Sequence, residues 1–569
     1  MGNGYYLYAS WDDFVNKNAP LAFAITHANR TDLQQQFPFI ATTKYSVYAQ
    51  DEANLHKQFK LTYGLRLELP VYPTLDCENA EFTELFKKQG WQTNQTPKAY
   101  LNVSPRVGFN WDVLGNRRMI VRGGTGVFAG NLPMVWLVSA VGNSNTLQAQ
   151  TLLSGNNADL QKFAGDGFKT DIPGILETLY GGSFQEQALP APTSPTIIAK
   201  DLRLPTTWKT SLAVDFNLPL NWKISFEGIF NKDINTVVVA KQGIEENKGA
   251  LIMTQGETFD ARSTWTSAGI VNSQNRAITP YLITNSDING YYGSFTAKVE
   301  KSWNCGINLM AAYTYSNSKT VNDGLGDQVT SVYSTNTNSA NGSNSIELGN
   351  ASFVAPHRVV ACLNYRIPEK IGATTLSLRY EGQNMGYIGN QYSYTTWTPT
   401  MSAAVVGDGG AYNTLFIPTE EQLEKMNFVS EQNKEEFNAW IEGNAYARNH
   451  RGEYVERGCM TMPWHNQLDF KLQQDFIMPD ATGRKHNLQI ALDVNNLLNL
   501  LNPAWGTYKT LNNTNIMSWK ATDKNDPSLG GVYTFNGGQS AGKSQSCVFS
   551  TLASTASTWS MMFSLRYFF

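Results

Sequence analysis

Strict alternation of apolar and polar residues is the feature that most limits what this chain can fold into. Over residues 58–68, Phe59, Leu61, Tyr63, Leu65 and Leu67 fall on one face, and Lys60, Thr62, Gly64, Arg66 and Glu68 on the other. The chain ends the same way, with Trp559, Met561, Phe563, Leu565, Tyr567 and Phe569 on one face and Ser560, Ser564 and Arg566 among the residues opposite. A period of two belongs to a β-strand, whose successive side chains point to opposite sides, so each segment has one oily and one wet face. Comparable segments lie at 43–50, 105–112, 119–128, 208–216, 222–231, 291–300, 305–315, 358–366, 375–381, 467–473 and 487–495; a weaker one at 5–10 brings the expected count to fourteen.

The connections alternate in length along the whole chain. Short ones fall near 52–57, 113–118, 217–221, 301–304, 367–374 and 474–486. Long ones fall near 11–42, 69–102, 129–207, 232–290, 316–357, 382–466 and 496–558. A soluble sandwich has no reason to gather every long connection at one end. An outer-membrane barrel does, with tight turns on the periplasmic side, long loops outside, an apolar belt toward lipid and a polar interior. Tilted strands of about 9–11 residues suffice to cross a bilayer. The expectation is therefore an all-β protein, an antiparallel transmembrane β-barrel occupying 1–569 as one unit, with its last strand running inward. The competing reading, a soluble all-β protein, would have to find a core for all the outward aromatic and aliphatic faces.

Composition excludes several other functions. Only 16% of residues are charged, against about a quarter in ordinary globular domains. A net charge of −3 gives no basic field, so nucleic acid is not an expected partner. No apolar run reaches the length of a spanning helix; the longest lies around 133–142. The five cysteines have no C-x-x-C spacing, although Cys459 and Cys547, in the last two long loops, could bridge in an oxidising compartment. His27, His56, His357, His450, His465 and His486 are scattered, with no H-E-x-x-H, and no G-x-S-x-G occurs. No enzyme activity, metal or cofactor is expected. The first residues, from Met1 to Tyr6, show no signal-peptide pattern, so either the protein stays inside or the chain lacks its beginning.

Several stretches resemble a known family. Ser104-Pro105-Arg106-Val107-Gly108-Phe109-Asn110-Trp111-Asp112, then Arg122-Gly123-Gly124-Thr125-Gly126-Val127-Phe128-Ala129-Gly130, resemble the barrel of TonB-dependent outer-membrane receptors, in particular the Oar-like group, itself similar to SusC-like transporters. Tyr48 to Glu52 before Leu61 to Arg66, Pro356 to Val359, and Asp493 to Asn499 agree in the same order. The resemblance implies a 22-strand barrel of which this chain is about the last fourteen strands, with the plug domain, TonB box and signal peptide absent. It implies uptake of a bulky nutrient, a glycan, peptide or siderophore-like ligand, by the whole receptor and not by this part alone. Implied partners are outer-membrane lipid and the TonB complex through the absent plug, and a surface lipoprotein over the loops is left open. A passive fourteen-strand channel or surface-binding protein is the alternative.

Two residue sets are candidates for function. The wet faces carry Arg66, Arg106, Arg122, Lys298, Arg358, Arg379, Asp469, Asp493 and Arg566, within a set of twelve cations against eight anions. Pairing across strands or holding a plug is their expected role, and the cationic excess favours an anionic or polyhydroxylated solute over a cation. Outside the strands, Tyr392, Tyr394, Trp397, Trp440, Tyr454, Trp505 and Tyr508 offer stacking surfaces for a ligand, or else pack the loops together. Asn322, Asp323 and Asp327 could ligate a hard cation but read better as solvated loop. Thr419 to Ala447 shows helical spacing after a capped start, a helix expected over the barrel mouth.

Overall fold

Period two becomes one continuous antiparallel sheet. The computed structural model describes the chain except residues 1–3, 35–36, 183, 187, 325–327, 337–338, 389–391, 403–405, 480–482, 524–525, 527–528 and 538–548. Thirteen strands follow one another in chain order: β1 (Thr43–His56), β2 (Phe59–Val71), β3 (Asn102–Asp112), β4 (Met119–Ala129), β5 (Thr206–Leu218), β6 (Trp222–Lys241), β7 (Tyr291–Ser302), β8 (Ile307–Thr320), β9 (His357–Glu369), β10 (Gly372–Asn384), β11 (Trp464–Pro479), β12 (Lys485–Asn495) and β13 (Ser560–Phe568). Each pairs with its successor in the antiparallel sense, tight turns alternating with long connections. Among the described residues β1 pairs with β2 alone and β13 with β12 alone, so the sheet is open at both edges. At Asp233/Asn235 the β5 register shifts by a bulge, and the far end of β6 leaves the wall to pair with Tyr281–Ser286.

The weak fourteenth strand is a correction. Gly4–Leu7 pairs with Ala22–Ala28, which pairs with Gln148–Ser154, in a separate three-stranded sheet. The segment is short and has no charged face to offer a wet lumen. Tyr6 instead packs against Phe23 and Phe163, ring centroids 4.9 and 5.4 Å away.

The large sheet has an oily face that nothing among the described residues covers. Leu65, Val107, Leu212, Phe226, Phe295, Leu363 and Leu565 all stand exposed on it. Rings gather at its two rims: Trp208, Tyr315, Tyr380 and Trp464 toward the long loops, Trp111, Trp222, Tyr365 and Tyr567 toward the short turns. That is the girdle pattern of a lipid-facing barrel wall. No helix among the described residues is long and apolar enough to cross a membrane.

Buried apolar cores sit in the long connections instead. The largest joins Leu251, Met253, Trp397, Phe437, Trp440, Met517 and Phe535 from segments far apart in sequence. Others form around Leu137, Ile198, Ile283 and Tyr333, and around Phe23, Phe163 and Leu176. The helix expected over 419–447 is three helices, Glu420–Lys425, Glu431–Gly443 and Ala445–Asn449. Thr419 and Gln422 close the first of them with a reciprocal capping box.

Candidate functional site

Cross-strand register places charges side by side on the wet face of the sheet. Arg379 lies directly opposite Asp469, and Lys471 opposite Asp493. Arg122 reaches Asp215 at 3.0 Å and Glu227 at 3.6 Å, tying β4, β5 and β6 together. Lys298 meets Glu300 at 2.8 Å, and Arg66 meets Glu68 at 2.9 Å. Glu381 receives both Arg358, at 2.6 Å, and Arg379, whose other nitrogen is 3.3 Å from Asp469. Lys471 and Asp493 are 3.0 Å apart. Arg566 has no carboxylate partner among the described residues and donates to Gln489 Oε1 at 3.4 Å. The pairs of Arg122, Arg358, Arg379 and Lys471 link neighbouring strands, whereas those of Arg66 and Lys298 lie within one strand.

One stretch of that face is different. Gln50, Gly64, Arg106, Gly126, Lys209 and Asn231 follow one another across β1 to β6, and Thr62, Gly108, Gly124 and Ser211 form the next row. The glycines flatten the wall: a Cβ at Gly64 would stand 2.9 Å from the Ala49 carbonyl oxygen, one at Gly126 3.0 Å from that of Pro105. The result is a shallow cavity of about 470 Å³. Arg106 and Lys209 both lie over the Phe128 ring, 4.5 and 5.5 Å from its centre. Among the described residues no carboxylate pairs with either cation. Two charges thus remain available above a smooth floor.

The loop aromatics have diverse surroundings. Trp397 and Trp440 are 3% and 6% exposed inside the largest core, Trp440 stacked on Phe437. No face of either is open to a ligand in this structure. Tyr454 donates from its hydroxyl to Asp260 Oδ1 at 3.0 Å and lies under Arg262. Tyr508 stacks on His465 with centroids 3.7 Å apart, and Tyr394 stacks on Phe353. Tyr392 pairs with Ile388 through its backbone. Trp505 alone of the seven is freely exposed among those whose side chains are described, at 53%.

Sequence reasoning missed the polar hub of the loop core. Asp260 accepts from Arg262 Nε at 2.9 Å, from Tyr454 and from Tyr533, and Arg262 also donates to the carbonyls of Ala340 and Thr414. Both charges are buried. The Asp260-Ala261-Arg262 spacing, two opposite charges two residues apart at the start of a short strand, was the available signal. Asp323 is held by Ser352 and by Arg457 at 3.1 Å, and Asn322 by the Val237 carbonyl, while Asp327 lies outside the described residues. Among the described residues no group of histidine, cysteine and carboxylate side chains is arranged for a metal. Burial pushes the Cys459 thiol up to about 12; its expected partner Cys547 lies outside the described residues.

A family model described as an outer membrane beta barrel domain matches residues 13–546. No curated protein matches the chain. Among solved structures, a mutant of the ferric enterobactin receptor of Pseudomonas aeruginosa is similar with a TM-score of 0.38 and 9% identity, over 84% of this chain and 44% of its own. The siderophore receptor PirA of Acinetobacter baumannii gives 0.36 and 10%, over 84% and 47%. The FrpB iron transporter of Neisseria meningitidis gives 0.37 and 9%, over 88% and 50%. The chain spans about half the length of these structures.

Proposed function

The chain belongs to the outer membrane beta barrel domain family, and from that premise we propose that it forms part of the barrel of a TonB-dependent receptor for a bulky nutrient. Its place is the bacterial outer membrane. The observation that carries the reading is the wall itself, with an apolar outer face, ion pairs linking neighbouring strands inside, and packed loops at one end. Two free edges, at β1 and β13, support a segment of a larger barrel, because lipid tolerates no unpaired edge. The motif resemblance supports the TonB-dependent class and a C-terminal position within it.

In this reading the paired charges stiffen the wall, while Arg106 and Lys209 meet what passes. A glycan, peptide or siderophore-like ligand with an anionic or polyhydroxylated group fits two cations beside a glycine-rich floor. Transport requires a plug that TonB can pull, so import belongs to the whole receptor. The test is to sequence the DNA on both sides of the coding region. An in-frame plug and TonB box ahead of the first strands is the expected result. A stop codon followed by unrelated sequence would overturn the transport reading and favour a passive channel or surface-binding protein.

A further inference from the structure

A groove lies on the oily face at the rim nearest the long loops. Tyr380, Trp464 and Leu468 line it from β10 and β11; Leu498, Trp505 and Lys509 close it from the segment after β12. Its volume is about 430 Å³. The rings are fixed in place, since the Tyr380 hydroxyl and Trp464 Nε1 both donate to Asn466 Oδ1, at 2.7 and 3.0 Å.

The opposing segment is folded around asparagines, with Leu497, Leu498 and Leu500 half-buried and Leu501 exposed. Asn496 Nδ2 donates to the Gly506 carbonyl at 2.8 Å, and Asn499 Nδ2 to the carbonyls of Pro503 and Trp505, both at 3.0 Å. The Asn496 backbone N–H donates to Asp469 Oδ1, anchoring the segment to β11. Only glycine serves at 506, where φ is +59° and a Cβ would stand 2.0 Å from Asn496 Oδ1. The short helix Leu497–Leu501 therefore buries its one polar residue, Asn499, and leaves Leu501 66% exposed. A turn that hides its amide and leaves apolar surface at Leu501 suits hydrocarbon better than water.

We propose that this groove holds an acyl chain of an anionic lipid from the leaflet on the loop side. The apolar floor of Leu468 and Leu498 takes the chain, and the aromatic rims lie at headgroup depth, where such rings prefer to sit. Lys509 supplies the one cation among the groove's lining residues. Its ammonium donates to Thr551 Oγ1 at 2.9 Å and, among the described residues, has no carboxylate partner, so its charge remains for a phosphate. The inference rests on the membrane placement of the sheet and not on the transport reading.

The test uses the full chain reconstituted in vesicles of brominated phosphatidylglycerol or brominated phosphatidylcholine, read by quenching of tryptophan fluorescence. Trp505→Phe removes quenchable emission, whereas Trp519→Phe, in the loop core, removes emission that lipid does not reach. In mixed vesicles the phosphatidylglycerol is favoured at Trp505 by about fivefold, the worth of one cation at an anionic surface. Lys509→Gln abolishes that preference and Lys509→Arg keeps it. Equal quenching by both lipids in the parent chain, or a Trp505 that stays bright while Trp208, outside the groove, is quenched, overturns the groove. Absence of quenching at every tryptophan overturns it together with the membrane placement.

Discussion

The strand wall and the loop body solve the same problem with opposite layouts. In the loops, Phe437 has no exposed surface, and the charged pair Asp260–Arg262 is sealed inside. In the wall, Phe563 is 70% exposed, and the ion pairs lie on a face open to water. One region is apolar inside and polar outside; the other is turned inside out. The difference shows that the two regions have different solvents, and that residue type alone does not reveal which side is the interior. Substitutions that act oppositely in the two regions measure that difference directly.

The largest effects fall in the loop core. Phe437→Ala removes a ring packed against Trp440 and Phe535, and should cost about 3–5 kcal/mol of loop-body stability. Arg262→Met, which leaves Asp260 buried without its cation, belongs to the same range of about 3–5 kcal/mol. Protease resistance of the loops and their thermal unfolding check both. Phe563→Ala should leave both readouts unchanged, and an equal loss there would break the contrast.

A matched pair of leucines sharpens it further. Leu363 in the middle of β9 is 41% exposed, and Leu152 in the loop sheet is 49% exposed. Leu363→Arg should cost about 2–4 kcal/mol in a bilayer, where the charge meets hydrocarbon. Leu152→Arg meets water and should change stability by about 0.5 kcal/mol or less. Equilibrium unfolding from vesicles separates them, and equal costs would mean that the wall does not face lipid.

The loop body also carries a pH dependence. Burial holds His27 below the ordinary histidine range, against the opposing hydrogen bond to the Ala28 carbonyl. A depressed folded-state value means that the stabilisation is complete above the unfolded value of about 6.5 and is lost as pH falls below it toward the folded value. Acidification should therefore loosen the sheet of Gly4–Leu7, Ala22–Ala28 and Gln148–Ser154, as read by hydrogen exchange. His27→Phe should flatten the profile.

The wall was legible because its signal is local. Leu61, Tyr63 and Leu65 declare their face within five residues, and the long and short connections follow from where strands end. The edge segment at 5–10 misled because four residues of alternation do not distinguish a lipid-facing strand from a small sheet packed on loops. Of the loop cores only the helical segment at 419–447 was legible, and its partners were not. Leu251, Trp397, Phe437 and Met517 meet from separate connections, and no periodicity within any one of them announces the meeting. Trp397 and Trp440 were thus readable equally as open stacking faces. Asp493 to Asn499 was visible as a family motif, yet the place of Leu498 acquires meaning only beside Tyr380 and Trp464.

The smallest expected effect concerns the ion pairs of the inner face. Arg379 meets Glu381 and Asp469, but its side chain is 45% exposed, so water screens the pair and competes for both partners. Arg379→Gln should then cost under about 1 kcal/mol, in contrast to Arg262→Met in the sealed core. Adding Asp469→Asn to Arg379→Gln should recover part of even that, because the double variant leaves neither charge without its partner, and the cycle gives the coupling. High salt should erase the coupling on the inner face and leave the Asp260–Arg262 pair untouched. A coupling at Arg379 as large and as salt-insensitive as that of Arg262 would mean that the inner face is dry, and the wall would then enclose a packed core instead of a path for solute.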